Sequence, residues 1–124
     1  MDAKQHLFYG LGIICFAVAR ADGEIQPEER NELREIIEEW TDRYAQDYDI
    51  TEIIFSILSK SKPGMDEGFE VGMKHIRLGS EYLNEQLKEH FVYLVEDIAR
   101  AFPPVTGSEQ ELVSRFRQEL SNIK

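Results

Sequence analysis

The stretch Asp22-Gly-Glu-Ile-Gln-Pro-Glu-Glu29 decides how the chain is folded. An uncharged run over residues 7–19 precedes it, and an acidic helical pattern begins inside it at Pro27. It reads as a tight joint between two helices. Asp-Gly marks the turn, because Gly reaches positive φ and Asp bonds nearby backbone N–H groups. Ile25 is apolar and pins the turn to the core. Pro27 suits the first helical position, where a missing N–H costs nothing. Glu28 and Glu29 then fall at the positive end of the new helix.

Upstream, residues 4–21 read as a helix, with Leu7, Leu11, Ile14, Val18 and Ala21 at helical spacing and Phe8 and Cys15 widening the stripe. Gly10 and Gly12 weaken it intrinsically and point to close packing on a neighbour. Downstream, a helix is expected from Pro27 to about Tyr44, burying Leu33, Ile36, Ile37, Trp40 and Tyr44. Its other face is acidic: residues 24–39 hold seven Glu and two Arg.

The rest of the chain is also helical in pattern. Asp49 caps a short helix over 50–59, with Ile53, Ile54, Ile57 and Leu58 inward. Residues 59–64 form a loop. A helix over about 66–79 packs Phe69, Met73 and Ile76, with Val71 and Leu78 beside them, and Gly68 and Gly72 suit a close helix crossing. Gly79-Ser80 marks a kink or break. A helix over about 81–102 carries Leu83, Leu87, Phe91, Leu94, Val95, Ile98 and Ala101 or Phe102, until Pro103-Pro104 stops it. Thr106-Gly-Ser-Glu109 is a capping box opening a last helix with Leu112, Val113, Phe116 and Leu120 on its apolar side. No segment alternates like a strand. The expectation is an all-α domain over 1–124, a compact bundle of six helices (range five to seven).

An internal repeat organises this bundle. Shifted by 80 residues without gaps, Leu7, Leu11, Ile14, Cys15, Val18, Ala19 and Arg20 meet Leu87, Phe91, Leu94, Val95, Ile98, Ala99 and Arg100. Beyond the joint, Ile25, Glu29, Leu33, Ile36 and Trp40 meet Val105, Glu109, Val113, Phe116 and Leu120. Two pseudo-repeated hairpins follow, about 4–44 and 84–121. Where the first joint has Asp22-Gly23-Glu24, the second has Phe102-Pro103-Pro104. Glu29 and Glu109 are explained by capping, whereas Asp22 and Glu24 are not needed to connect helices. That asymmetry makes the first joint the functional candidate.

Composition narrows the chemistry. Fourteen basic residues against 24 acidic give a formal charge of −10, which repels phosphate backbones and argues against nucleic-acid binding and adsorption to anionic lipid. One Cys permits no internal disulfide and no Cys-rich zinc site, in keeping with a cytoplasmic protein. Ala19-Arg20-Ala21 resembles a signal-cleavage site. The apolar run before it is too short to span a membrane, its leader is weakly basic, and its repeat counterpart is internal, so no secretory signal is expected.

The joint offers oxygen ligands. Asp22-Gly23-x-Ile25-x-x-x-Glu29 matches the second half of a calcium loop, but Val18 and Arg20 stand where the first acidic ligands would be, so a complete EF-hand is excluded. A partial site from Asp22, Glu24, Glu28 and Glu29 would suit a hard ion, calcium or magnesium. The alternative is a turn whose carboxylates only cap and solubilise. Glu32, Glu35 and Glu39 then belong to an acidic face that docks a protein partner with a basic surface, membrane-associated or otherwise. No nucleophile elbow, phosphate loop or paired metal-ligand histidine appears among His6, His75 and His90, and Cys15 reads as a buried thiol, so no enzyme is expected.

The run Ala19-Arg-Ala-Asp-Gly-Glu-Ile-Gln-Pro-Glu-Glu29 resembles the signature of the tellurite-resistance TerB-like family. The resemblance implies a compact helical domain, an association with tellurite and other chemical stress, divalent-cation binding and membrane-protein partners. It places the family's acidic joint on Asp22 and Glu29, with Glu24 and Glu28 beside it. Many members have a second Asp-Gly joint, and here Phe102-Pro103 replaces it.

Overall fold

The computed structural model describes residues 2–20, 27–44, 65–101 and 107–123, without the side chains of Met65 and Ser108. Among the described residues there are five α-helices and no strand: α1 (Ala3–Ala19), α2 (Pro27–Tyr44), α3 (Met65–Leu78), α4 (Glu85–Ala101) and α5 (Gly107–Ser121), with a 3-10 turn at Ser80–Tyr82 between α3 and α4. The expected helix over 50–59 lies outside the described residues.

Helix α1 is the core of the bundle. Asp2 opens it with a capping box: the Gln5 N–H donates to Asp2 Oδ1 and the Asp2 N–H to Gln5 Oε1, both at 2.8 Å. The helical spacing predicts one buried stripe. The structure buries Ile13, Phe16 and Ala17 as well as Leu7, Leu11, Ile14 and Val18, so α1 is enclosed on nearly every side from Leu7 to Ala19. The physical reason is its surroundings: α3, α4, α5 and the 3-10 turn all pack on it. A helix that is apolar all round has no solvent face to present.

The tightest of these contacts is with α3. A Cβ built on Gly10 would lie 2.5 Å from the Gly72 carbonyl oxygen, and one on Gly72 would lie 2.7 Å from Ile14 Cδ1. Two hydrogens in place of methyl groups let the backbones approach, and Phe69, Met73 and Ile76 fill the seam beside them. Val71 and Leu78, expected inward, are instead exposed at 39% and 53%. They fall outside the arc that faces α1.

The helix expected from 81 begins four residues later. Asn84 caps it, accepting from the Leu87 N–H on Oδ1 at 2.8 Å, and residues 80–82 form the 3-10 turn instead. From there α4 packs on α1, α2 and α5, burying Phe91, Leu94, Val95 and Ile98. Each such side chain taken fully from water contributes about 1.5–3 kcal/mol.

The repeat read in the sequence is matched here in helix register alone, because α4 packs on α5 whereas α1 packs chiefly on α3. Helices α2 and α5 start in matching register, at Pro27 and Gly107. Leu11, Ile14, Cys15, Val18 and Ala19 are buried, and so are their counterparts Phe91, Leu94, Val95, Ile98 and Ala99.

Candidate functional site

The first joint is described only from its far side. Asp22 and Glu24 lie outside the described residues. Glu28 and Glu29 occupy the first turn of α2, Glu28 exposed and Glu29 half-buried. In the second hairpin Glu109 takes the same place in α5 and is buried at 1% exposure, while its expected capping partner Thr106 lies outside the described residues. Among the described residues no three His, Cys, Asp or Glu side chains converge in a metal-binding group.

The acidic face of α2 is laid out in full. Glu28, Glu32, Glu35 and Glu39 are all exposed, and their spacing of four, three and four residues sets them in one stripe along the helix. Arg34 reaches Glu38 at 3.8 Å and Arg43 reaches Glu39 at 3.7 Å, both exposed i,i+4 pairs. Like charges at i,i+4, as in Glu28/Glu32 and Glu35/Glu39, destabilise an isolated helix by about 0.2–0.5 kcal/mol each. The helix N-terminus beside Glu28 and the Glu39–Arg43 pair offset these terms, so the stripe's net contribution to stability is small.

At its C-terminal end the stripe runs into a groove between α2 and α4, whose lining includes Glu39, Trp40, Tyr44, Tyr93 and Arg100. Aromatic packing shapes it. Trp40 meets Phe91 with ring centroids 5.9 Å apart and Tyr44 at 5.7 Å, and Tyr44 stacks on His90 at 3.8 Å. Tyr93 is 52% exposed on the same wall. Tyr44 and Tyr93 thus share one groove. Tyr9 is half-buried elsewhere, and Tyr48 lies outside the described residues.

Two features escaped sequence reasoning. His6 on α1 and His75 on α3 meet with their Nδ1 atoms 2.9 Å apart, although 69 residues separate them. Their ring planes are within 22° of parallel and their centroids 5.1 Å apart. The centroid distance exceeds the nitrogen distance by about two ring radii, so the rings meet edge to edge through the nitrogens rather than face to face. Burial, then the charges of His6 and Lys74, hold the His75 pKa below its ordinary value. The second is Lys88, 7% exposed, whose ammonium donates to the Ile123 carbonyl and to Glu85 Oε1. The Lys88–Glu85 pair is an ordinary i,i+3 neighbour, but no local spacing signals the His6–His75 or the Lys88–Ile123 contact.

Cys15 is buried as expected, and burial pushes its thiol pKa up. Arg20 lies half-buried with its guanidinium 5.4 Å from the Phe16 ring centre. Among the described residues no helix is long and apolar enough to cross a membrane. Comparisons with protein-family models, with curated proteins and with solved structures returned no match.

Proposed function

We propose that this chain is a non-enzymatic helical interaction module that docks a basic segment of a protein partner along α2. The observation that carries this reading is the continuous stripe Glu28, Glu32, Glu35, Glu39 ending in the aromatic groove of Trp40, Tyr44 and Tyr93. Four carboxylates raise the local cation concentration and steer a Lys/Arg-rich segment. The groove, lined also by Arg43 and Arg100, supplies apolar and aromatic surface for the segment's uncharged side chains, chiefly at the exposed Tyr93.

A Lys/Arg-rich amphipathic peptide is the probe. Its binding, followed by anisotropy, is expected to weaken as salt rises and to fall at least tenfold when Glu28, Glu32, Glu35 and Glu39 become Gln. A control with Glu67, Glu81, Glu89 and Glu111 changed to Gln carries the same net charge and should bind as the parent does. Equal losses in the two variants would reduce the effect to net charge and remove the docking face.

A second reading is a calcium or magnesium site at the joint, from Asp22, Glu24, Glu28 and Glu29. It is favoured by the unequal pair of joints and by the likeness of residues 19–29 to the TerB-like signature, which also supports a stress-associated role. Helices α2 and α5 begin in the same register, yet only the first is preceded in sequence by an acidic, glycine-containing segment, Asp22-Gly23-Glu24. Calorimetric titration of calcium and of magnesium tests it against an Asp22→Asn/Glu29→Gln variant. Heat of binding that survives the double change rules the site out.

A further inference from the structure

The His6–His75 contact is a device that the acidic face and the joint leave unused. Two imidazoles facing each other through Nδ1 at 2.9 Å satisfy one another only when one nitrogen carries a proton and the other offers a lone pair. The pair therefore holds one proton between its facing atoms. Protonating both sets N–H against N–H at hydrogen-bond distance. The groups acting on His75 make that second proton unwelcome. They are its own burial, His6 across the interface and Lys74 on α3, with no carboxylate among them. Tyr9 of α1 closes the site with its ring edge-on to His75 at 4.8 Å. Among the carboxylates on these helices, Asp2 accepts from the Gln5 N–H in capping α1, and Glu119 of α5 is paired with Arg77 of α3 at 2.5 Å. A metal cation between the nitrogens would meet the same unbalanced positive field, and the head-on alignment leaves room for a proton alone.

We propose that His6 and His75 form a proton-sharing clasp between α1 and α3 that opens when the pair takes up its second proton, loosening this crossing under mildly acidic conditions. The clasp closes the seam in which Phe69, Met73 and Ile76 are fully buried, so opening bares an apolar strip on the helix packed most closely against α1. The sign follows from linkage. The folded pKa of His75 lies below its ordinary 6.5, so between the two values the unfolded chain binds more protons. Stability is full above about 6.5 and is lost as pH falls towards the folded value.

The test compares melting of the full chain at about pH 7.5 and about pH 5.5. The parent is expected to lose about 3 °C or more on acidification. His75→Gln and His6→Gln, which keep a neutral donor and acceptor, should each lose less than half as much, while His90→Gln should behave as the parent. Hydrogen exchange at pH 5.5 should quicken first in residues 65–78 of the parent. Nitrogen-15 spectra of the unmodified protein give a reading that no substitution can spoil: the two rings should titrate as a coupled pair in two separated steps. Equal losses in the parent and both Gln variants would overturn the clasp, and so would two rings that titrate independently.

Discussion

The indole N–H of Trp40 donates to the backbone carbonyl of His90 at 2.9 Å, so the chain's one tryptophan ties α2 to α4 by a hydrogen bond as well as by its ring. The His90 carbonyl is also within the α4 ladder, and its second lone pair is free to accept. Phe8, Tyr44 and Phe91 surround the indole. Trp40→Phe keeps an aromatic ring but loses the donor and leaves a void. We expect a loss of about 1–3 kcal/mol, from one hydrogen bond and the missing ring volume. Urea unfolding followed by circular dichroism measures it, because the fluorescent reporter is itself removed.

The close crossing makes opposite predictions for two glycines. Gly72→Ala drives a methyl into Ile14 and the Gly10 carbonyl, and overpacking of this kind costs about 1–3 kcal/mol. Better helix propensity returns at most about 1 kcal/mol. Gly107, at the first position of α5, has nothing among the described residues within 4 Å of a built Cβ. Gly107→Ala should therefore raise stability by about 0.4–1 kcal/mol, chiefly by restricting the unfolded chain. Thermal melts of the two single variants should shift in opposite directions.

How much of this was legible depended on what a linear pattern encodes. The span from Pro27 to Tyr44 could be read directly, because Pro27 fixes its start and Leu33, Ile37 and Trp40 its buried face. The buried side of α4 could be read as well, since Phe91, Leu94, Val95 and Ile98 stand at helical spacing. The enclosure of α1 was not. Periodicity reports a difference between faces, and Ile13, Phe16 and Ala17 are buried by helices packed on the other sides. Gly72 was expected at a crossing together with Gly68, but its partner in contact is Gly10 on another helix, which no spacing within α3 can indicate. The same holds for His6 and His75. At the joint, Glu28 and Glu29 fall in the first helical turn as read, and Asp22 and Glu24 lie beyond the described residues.

Cys15 supplies a clean measure of core opening. It is the chain's one cysteine and is wholly buried, and burial holds its thiol protonated far above neutral pH. A maleimide or disulfide reagent should leave the native protein unlabelled at neutral pH and label it fully in denaturant. Labelling with urea should follow the global transition, because α1 lies at the centre of the bundle. Rapid modification in native buffer would show that α1 leaves its position far more readily than its enclosure implies.

Lys88 tests the repeat where the two hairpins differ most. An offset of 80 residues sets it against Phe8, which packs on Trp40 with ring centroids 6.5 Å apart. In the second hairpin the partner is the end of α5, where Leu120 replaces Trp40 and the Lys88 ammonium donates to the Ile123 carbonyl. A cation there satisfies a carbonyl at the negative end of a helix. Lys88 is buried, whereas its carboxylate partner Glu85 has a side chain 92% exposed. That ion pair is screened by water and contributes little. Removing the charge therefore costs mainly one hydrogen bond, offset by relief of a buried ammonium. Lys88→Met keeps the stem's packing and should change global stability by about 1 kcal/mol or less. Its effect should be local: amide exchange at Asn122 and Ile123, whose N–H groups bond Glu119 and Leu120 carbonyls, should accelerate as the end of α5 frays. A loss of several kcal/mol, or unchanged exchange at those two amides, would contradict the capping role assigned to this lysine.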